Sequence, residues 1–218
     1  MRTTHAEQEA YWSTVSRRRS PAHPAVRAFA EAKLRLLRDA IPEPGLTMLE
    51  VGAGDGYLSH ALARAFDLTV LDFAPNMLDL NPLPPERKVQ GRAEALPFAD
   101  GAFDVVFCGN LLHHLEDPLA AVREMARVAR RHVVLLEPNA INPAMFLFGL
   151  LKRAERGSLK FTPAYLRGLG RAAGLRLRAS VVQGAVLPNK TPAIALPIAR
   201  RLDFPNPLGF YTLAVFDR

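Results

Sequence analysis

Leu49-Glu50-Val51-Gly52-Ala53-Gly54-Asp55-Gly56-Tyr57-Leu58 is the stretch on which the reading of this chain turns. An apolar run, Leu46–Val51, leads into it and a helical pattern, Tyr57–Phe66, leads out, so the glycines occupy a strand-to-helix turn. Glycine adopts backbone angles closed to other residues and lets a ligand approach the main chain. The following helix offers free N–H groups and the positive end of its dipole. Asp72 ends the next strand candidate, Leu68–Asp72. A carboxylate there accepts both hydroxyls of a ribose; capping the short helix that follows is the alternative role. The dinucleotide fingerprint G-x-G-x-x-G wants glycine where this chain has Tyr57, and the pattern here is G-x-G-x-G after an acidic Glu50. The turn therefore reads as a nucleoside site without the close approach that a pyrophosphate needs.

Short apolar runs alternate with helical patterns around this turn. Lys88–Gly91 is a short third strand, Phe103–Cys108 a strongly apolar fourth and His132–Leu136 a fifth. Leu119–Ala129 is a helix entered through Asp117 as N-cap and Pro118 at its first position. Ala25–Ala40 carries a one-faced helical pattern, stopped by Pro42, Pro44 and Gly45. Thr162–Ala173 reads as a helix, Arg176–Val186 and Phe210–Phe216 as closing strands, and Pro188–Pro207 as a long proline-rich loop without helix or strand pattern. Continuous apolar strands alternating with helices predict an α/β fold with a parallel, doubly wound sheet buried on both faces.

With 49% apolar residues in 218, the chain suits one domain with a two-sided core. No apolar run reaches the roughly 18 residues needed to span a bilayer, and Met1–Arg19 lacks the apolar core of a secretory signal. Cys108 is the only cysteine, which excludes an intrachain disulfide and fits a reducing cytoplasm. The charge of +7, mostly arginine, admits nucleic acid, anionic lipid or an acidic small molecule as partner, and equally a solvated surface. The arginines are scattered, Arg17-Arg18-Arg19 being the one tight cluster. With 8% aromatics there is little material for stacking platforms, which counts against nucleic acid.

Taken together, several blocks resemble the class I S-adenosylmethionine-dependent methyltransferases, in the branch called type 11. They are Glu50–Gly56, Val70–Leu78, Ala93–Phe98, Phe103–Val106 and Leu112–Pro118, in that family's order, and they span about residues 46–140. The resemblance implies a Rossmann-like, mostly parallel seven-stranded sheet whose last strand runs antiparallel, with the closing strands as a hairpin beside strand five. It divides the chain into an N-terminal helical lid, residues 1–44, and the methyltransferase domain, residues 45–218.

The cofactor implied is S-adenosylmethionine. Gly52, Ala53, Gly54 and Gly56 would hold its methionine part, with Glu50 orienting the turn from beneath. Asp72 would hold the ribose. Phe73 and Met77 would cover the adenine, plain core packing being the other role of Met77. Ala93 and Glu94 would offer backbone groups to the adenine edge, and Asn110, with Leu111 beside it, would meet the methionine ammonium. Arg92 departs from the pattern: relatives often have an aspartate there, and arginine has no acceptor for the adenine amino group.

His113 and His114, at the ligand edge, are the candidate general bases; packing under the cofactor is the alternative. Neither a carboxylate nor a cysteine joins them at a ligand spacing, so no metal is expected. The acceptor would lie among Tyr11-Trp12, Asn139–Leu151 and Pro188–Pro207. The apolar Pro143–Leu151, followed by Lys152-Arg153, can be a buried lid, the wall of an apolar pocket or a membrane-surface segment. The expected substrate is a small or medium-sized, largely apolar molecule rather than nucleic acid. The rival readings are a methyltransferase acting on RNA or another polymer, a non-catalytic nucleotide-binding domain and a nicotinamide oxidoreductase; against the last, no tyrosine here has a lysine four residues on.

Overall fold

A computed structural model describes residues 5–14 and 19–218. The apolar runs become β1 (Thr47–Val51), β2 (Asp67–Asp72), β3 (Lys88–Gln90), β4 (Phe103–Gly109), β5 (Ala129–Pro138), β6 (Arg176–Gln183) and β7 (Tyr211–Asp217). They form one sheet in the order β3-β2-β1-β4-β5-β7-β6. Every neighbouring pair is parallel except those of β7, which runs antiparallel to both β5 and β6. β6 is the exposed edge, and its Arg176 and Arg178 pair with Asp217, a charged border that blunts edge-to-edge association.

Among the described residues the helices are α1 (His5–Thr14), α2 (Pro24–Ala40), α3 (Ser59–Leu62), α4 (Pro75–Leu80), α5 (Pro118–Val128), α6 (Pro143–Leu151), α7 (Pro163–Ala172) and α8 (Leu196–Arg201). Much of the proline content is explained by their starts. α2, α4, α5, α6 and α7 all begin on proline, where the missing N–H costs nothing. Asp117 caps α5 as expected, accepting from the amides of Leu119 and Ala120; Asn142 and Thr162 do the same for α6 and α7.

Successive strand residues point to opposite faces, and both faces are buried. Met48, Val70, Val105, Val134 and Val215 pack with α2, α3 and α8 on one side. Leu49, Leu71, Val106, Val133 and Phe216 pack with α5 and α7 on the other. Val26, Phe29, Leu34 and Leu37 of α2 are buried, so this helix belongs to the core.

Two sequence expectations change. The helix over Tyr57–Phe66 shrinks to the single turn of α3, flanked by hydrogen-bonded turns, because amides from Ala61 to Phe66 split their bonds between carbonyls three and four residues back. The proline-rich loop is not structureless: it carries a 3-10 turn, Ala193–Ala195, and α8, anchored by buried Leu196 and Ala199 at helical spacing. Of the cluster Arg17-Arg18-Arg19, the first two lie outside the described residues. Arg19 donates to the carbonyls of Pro188 and Thr191 and ties down that loop.

Candidate functional site

Register fixes the site. Val51 lies beside Leu71 and Cys108, and Gly109 beside Leu136. The next residues along these strands, Gly52, Asp72, Asn110 and Glu137, therefore share the carboxyl edge of the sheet. The chain turns in opposite directions from β1 there, to β2 on one side and β4 on the other, which opens a crevice. A cavity of about 220 Å³ fills it.

The cavity lining includes Gly52, Gly54, Asp72, Phe73, Met77, Arg92, Ala93, Glu94, Asn110 and Leu111. Ten of the thirteen residues expected at a cofactor are thus brought together. Glu50, Ala53 and Gly56 stand behind this lining. The turn is held open by its glycines. Gly52 has φ +71°, and a Cβ on it would meet Leu111 Cδ1 at 2.7 Å. Asp72, buried, closes the turn from the side: Oδ2 accepts from Gly54 N at 2.8 Å and Oδ1 from Ala74 N at 2.9 Å. Burial raises its pKa, and those hydrogen bonds oppose the rise. The two oxygens keep further lone pairs, so Asp72 braces the turn and retains acceptor capacity.

Glu50 reaches the turn indirectly. Its Oε2 accepts from Ser59 Oγ at 2.6 Å; Asn81 Nδ2 then donates to Ser59 Oγ and to the Gly54 carbonyl. Burial pushes the Glu50 carboxyl up to about 8, the Asp72 and Asp55 charges adding to the rise against the Ser59 bond. Asn110 has φ +56°, the positive value found at a non-glycine residue among those described. Its Nδ2 donates to Tyr57 Oη at 2.8 Å, and its buried Oδ1 has no protein partner. The segment carrying Ala93 and Glu94 is clamped from α5: Glu124 accepts from Leu96 N, and Arg127 donates to the carbonyls of Leu96 and Phe98.

The two histidines differ. His113 is buried, with Nδ1 2.6 Å from Glu137 Oε2 and Nε2 3.2 Å from Glu155 Oε2. Burial alone would lower its pKa; the two carboxylates outweigh it and lift it to about 9. At neutral pH His113 is an imidazolium donating both N–H groups. Glu137 Oε1 also accepts from the amides of Leu111 and Leu112, which fixes the loop after β4. Glu155 lies on a 3-10 segment, Arg153–Lys160, and also accepts from Lys152 Nζ at 3.0 Å. Burial alone would raise its pKa, and the hydrogen bond and charge of His113 turn the shift downward. Gly157 lets this segment close in, since a Cβ there would run into the His113 carbonyl. His114 is held down to about 3 by burial and the neighbouring His113 charge, and its Nδ1 is buried without a partner. Trp12 meets its ring edge-on at 5.1 Å.

His113, His114 and Glu155 offer ligand atoms within 4.8 Å of one another. The absence of a carboxylate, on which the sequence reading left metal aside, is corrected by the fold. Glu155 carries no motif, and a 3-10 segment from a distant part of the chain delivers it.

Gln8, Trp12, Met145, Phe148, Leu187–Lys190 and Tyr211 also line the cavity. Trp12 and parts of the two expected wall segments are there; Tyr11 is not among the lining residues. α1 is tied over the cavity by Gln8 Nε2 to the Ala154 carbonyl, Asn76 Nδ2 to the Trp12 carbonyl and Arg153 to Glu7.

A methyltransferase-domain family model matches residues 49–136. A ubiquinone biosynthesis O-methyltransferase of Ralstonia nicotianae is 32% identical over 162 residues, covering 66% of this chain and 68% of that protein. The chain belongs to the class I S-adenosylmethionine-dependent methyltransferases, type 11 branch. A demethylmenaquinone methyltransferase of Renibacterium salmoninarum is 39% identical over 100 residues, covering 44% of this chain and 42% of that one. The chain spans about half the length of most curated relatives it matches. An S-adenosylmethionine-dependent methyltransferase of Thermotoga maritima shares the fold, with a TM-score of 0.68 at 16% identity over 88% of this chain and 91% of that one. As a type 11 methyltransferase the chain has the family's motifs at the sheet edge. Glu155, Glu137, Tyr57 and Tyr211 are the site residues that sequence reasoning missed. Glu137, directly after the apolar run His132–Leu136, and Tyr57, directly after the glycine turn, had positional signals; Glu155 and Tyr211 had none.

Proposed function

We propose that this methyltransferase moves the methyl group of S-adenosylmethionine to a small, largely apolar acceptor of quinone type. The observation that carries the reading is one cavity lined both by the glycine turn with Asp72 and by apolar side chains, Trp12, Met145, Phe148 and Leu187. Apolar pockets with a few placed polar groups suit small molecules. The bare backbone at Gly52 and Gly54, the spare acceptor capacity of Asp72 and the orphaned Asn110 Oδ1 fit the cofactor's charged and hydroxylated parts. The relatives named for ubiquinone and demethylmenaquinone favour the acceptor class.

When bound, the cofactor supplies an electrophilic methyl on a sulfonium. The residues do the rest by position. Gly52, Gly54 and Asn110 hold the methionine part, with Glu50, Ala53 and Gly56 shaping the turn from behind and Leu111 packing on it. Asp72 accepts from the ribose. Phe73 and Met77 cover the adenine, and Ala93 and Glu94 meet its edge. Arg92, at the same rim, turns to solvent or lies on the ring. α1 and Arg153–Lys160 exclude water. Of the two histidines, His113 is already protonated and engaged at both nitrogens, so His114 keeps the proton-accepting role. Its low pKa makes that role subordinate to positioning. Glu155 serves as the partner of His113 and Lys152 in this reading, not as a metal ligand. A reducing cytoplasm is the proposed compartment, in keeping with the single buried thiol, Cys108.

The test is calorimetry with S-adenosylmethionine, its demethylated product and NAD, followed by incorporation of labelled methyl into extracted small molecules and into bulk RNA. Binding of both adenosyl ligands but not NAD, with label in the lipid-soluble fraction, is expected. NAD binding alone, or label only in the polymer with a steep salt dependence, overturns the reading. His114→Gln should lower kcat by less than the roughly 100-fold that loss of a general base costs.

A further inference from the structure

α6 is apolar on both sides, and the two sides have different neighbours. Met145 and Phe148 face the cavity, and Gly149 is pressed against Ser158 and Leu159. Phe146, Leu147, Leu150 and Leu151 face outward, 47–75% exposed. They are not isolated: of the eleven exposed large apolar residues among those described, ten fall within 141–151 or 194–208. Hydrogen bonds join these two stretches. Asn142 Nδ2 donates to the Leu208 carbonyl, and Asn139 Nδ2 to the carbonyls of Pro207 and Gly209. Ile194, 90% exposed on the 3-10 turn Ala193–Ala195, and Ile198, 65% exposed on α8, belong to the second stretch. Exposed apolar surface concentrated in this way marks an interaction face.

We propose that this face, the outer side of α6 with residues 194–208, seats the protein on an anionic lipid bilayer. The charge around it selects that occupant. Arg200 and Arg201 close α8 beside Ile198, exposed and without an ion pair to any described residue. Lys152 and Arg153, which follow α6, are paired with Glu155 and Glu7, so the free charge at this face is that of Arg200 and Arg201, in a chain that carries +7 as a whole. A second copy docked about a two-fold axis would set the same arginines against themselves. An anionic headgroup layer complements them, while the leucines and isoleucines enter the acyl boundary. Nine residues of helix reach about 14 Å, less than half the roughly 30 Å of a hydrocarbon core, and no helix among the described residues is long and apolar enough to cross a membrane. α6 therefore lies on the surface.

The inner side of α6 walls the cavity, so a bilayer under the outer side brings apolar acceptors to the mouth. In this the inference extends the function proposed above. Vesicle binding is measured without cofactor or acceptor, so either can fail alone.

The experiment is co-sedimentation of the full chain with phosphatidylglycerol–phosphatidylcholine vesicles and with phosphatidylcholine vesicles across a salt series. Light scattering of the protein alone runs alongside. The wild type should bind the anionic vesicles, at least about tenfold more tightly than the neutral ones, and more weakly as salt rises. Leu147→Asp with Leu151→Asp should weaken binding about tenfold or more with the melting temperature retained. Arg200→Glu with Arg201→Glu, on a separate exposed element, should do the same and stands in if the first pair unfolds. No binding to anionic vesicles overturns the proposal. So do equal binding to neutral vesicles, unchanged binding in both folded pairs, or a wild-type dimer that both pairs dissolve.

Discussion

Replacing Asp72 with alanine tests the brace and the binding role together. Gly54 N and Ala74 N lose their acceptor; Gly54 stands at the cavity wall, where water can replace it, but Ala74 is 1% exposed, which shuts water out. A buried donor left unpaired costs about 1–3 kcal/mol, so the variant should lose about that much. That is a sizeable share of the roughly 5–15 kcal/mol that holds a domain folded. In a chain of this size it lowers Tm by roughly 2–12 °C. Binding suffers separately. Losing even one charge-assisted bond to a ribose hydroxyl, about 1.5–3 kcal/mol, weakens affinity at least about tenfold. Asp72→Asn keeps the shape and one carbonyl acceptor but sets its amide NH2, itself a donor, against the other donor, and should fall between. Urea unfolding gives the first quantity, and calorimetry with the demethylated cofactor, run well below the variant's Tm, gives the second. A Tm within one degree of wild type would refute the brace; a normal dissociation constant would refute the ribose contact.

Three further outcomes are expected. Gly52→Ala puts a methyl into the Leu111 side chain at φ +71°, and should weaken cofactor binding about tenfold or more, with a stability loss of about 1–3 kcal/mol visible in thermal melts. His113 has a folded pKa raised to about 9 from 6.5, so its stabilisation is fully present below about pH 6.5 and is lost as pH rises through about 9. Urea titrations of wild type and His113→Gln at pH 6 and pH 10 should show a gap that narrows at the higher pH. Lys33 is buried among Phe29 and Tyr211, with its pKa lowered to about 8 by burial, against the pull of Asp203. The folded state therefore favours the neutral amine, and its penalty is greatest below about pH 8 and gone above about 10.5. Lys33→Met should raise stability by roughly 1–3 kcal/mol at pH 7, by a margin that shrinks in alkaline urea melts.

The parallel sheet was legible because its strands are buried on both faces and so appear as unbroken apolar runs, the clearest case being Phe103–Cys108. Helix starts were legible wherever a polar cap precedes proline, as at Asp117-Pro118 and Thr162-Pro163. α8 was not, because its pattern is confined to Leu196 and Ala199 and lies between prolines that read as loop. The extent of α3 was also missed. Its residues suit a helix, but tertiary packing against the glycine turn decides how far the helix runs.

The site divides along the same line. The half assigned to the cofactor is written in short motifs, since Gly52 and Asn110 follow directly on a strand, Asp72 ends one, and local sequence fixes their place. The half that positions the histidines depends on contacts between remote segments. His113 stands between Glu137, 24 residues on, and Glu155, 42 residues on, and neither spacing belongs to any local pattern. The consequence is chemical. Read alone, a histidine pair at a ligand edge suggests two interchangeable bases. Between two carboxylates, His113 becomes a fixed cation that pins the loop after β4 to the segment Arg153–Lys160. The same cation helps to keep His114 neutral beside it. Removing Glu155 should therefore loosen that segment, and since its carboxylate pulls the His114 pKa up against burial and the His113 charge, Glu155→Gln should leave His114 neutral; a pH profile of proton transfer shifted upward toward the ordinary histidine range would refute this.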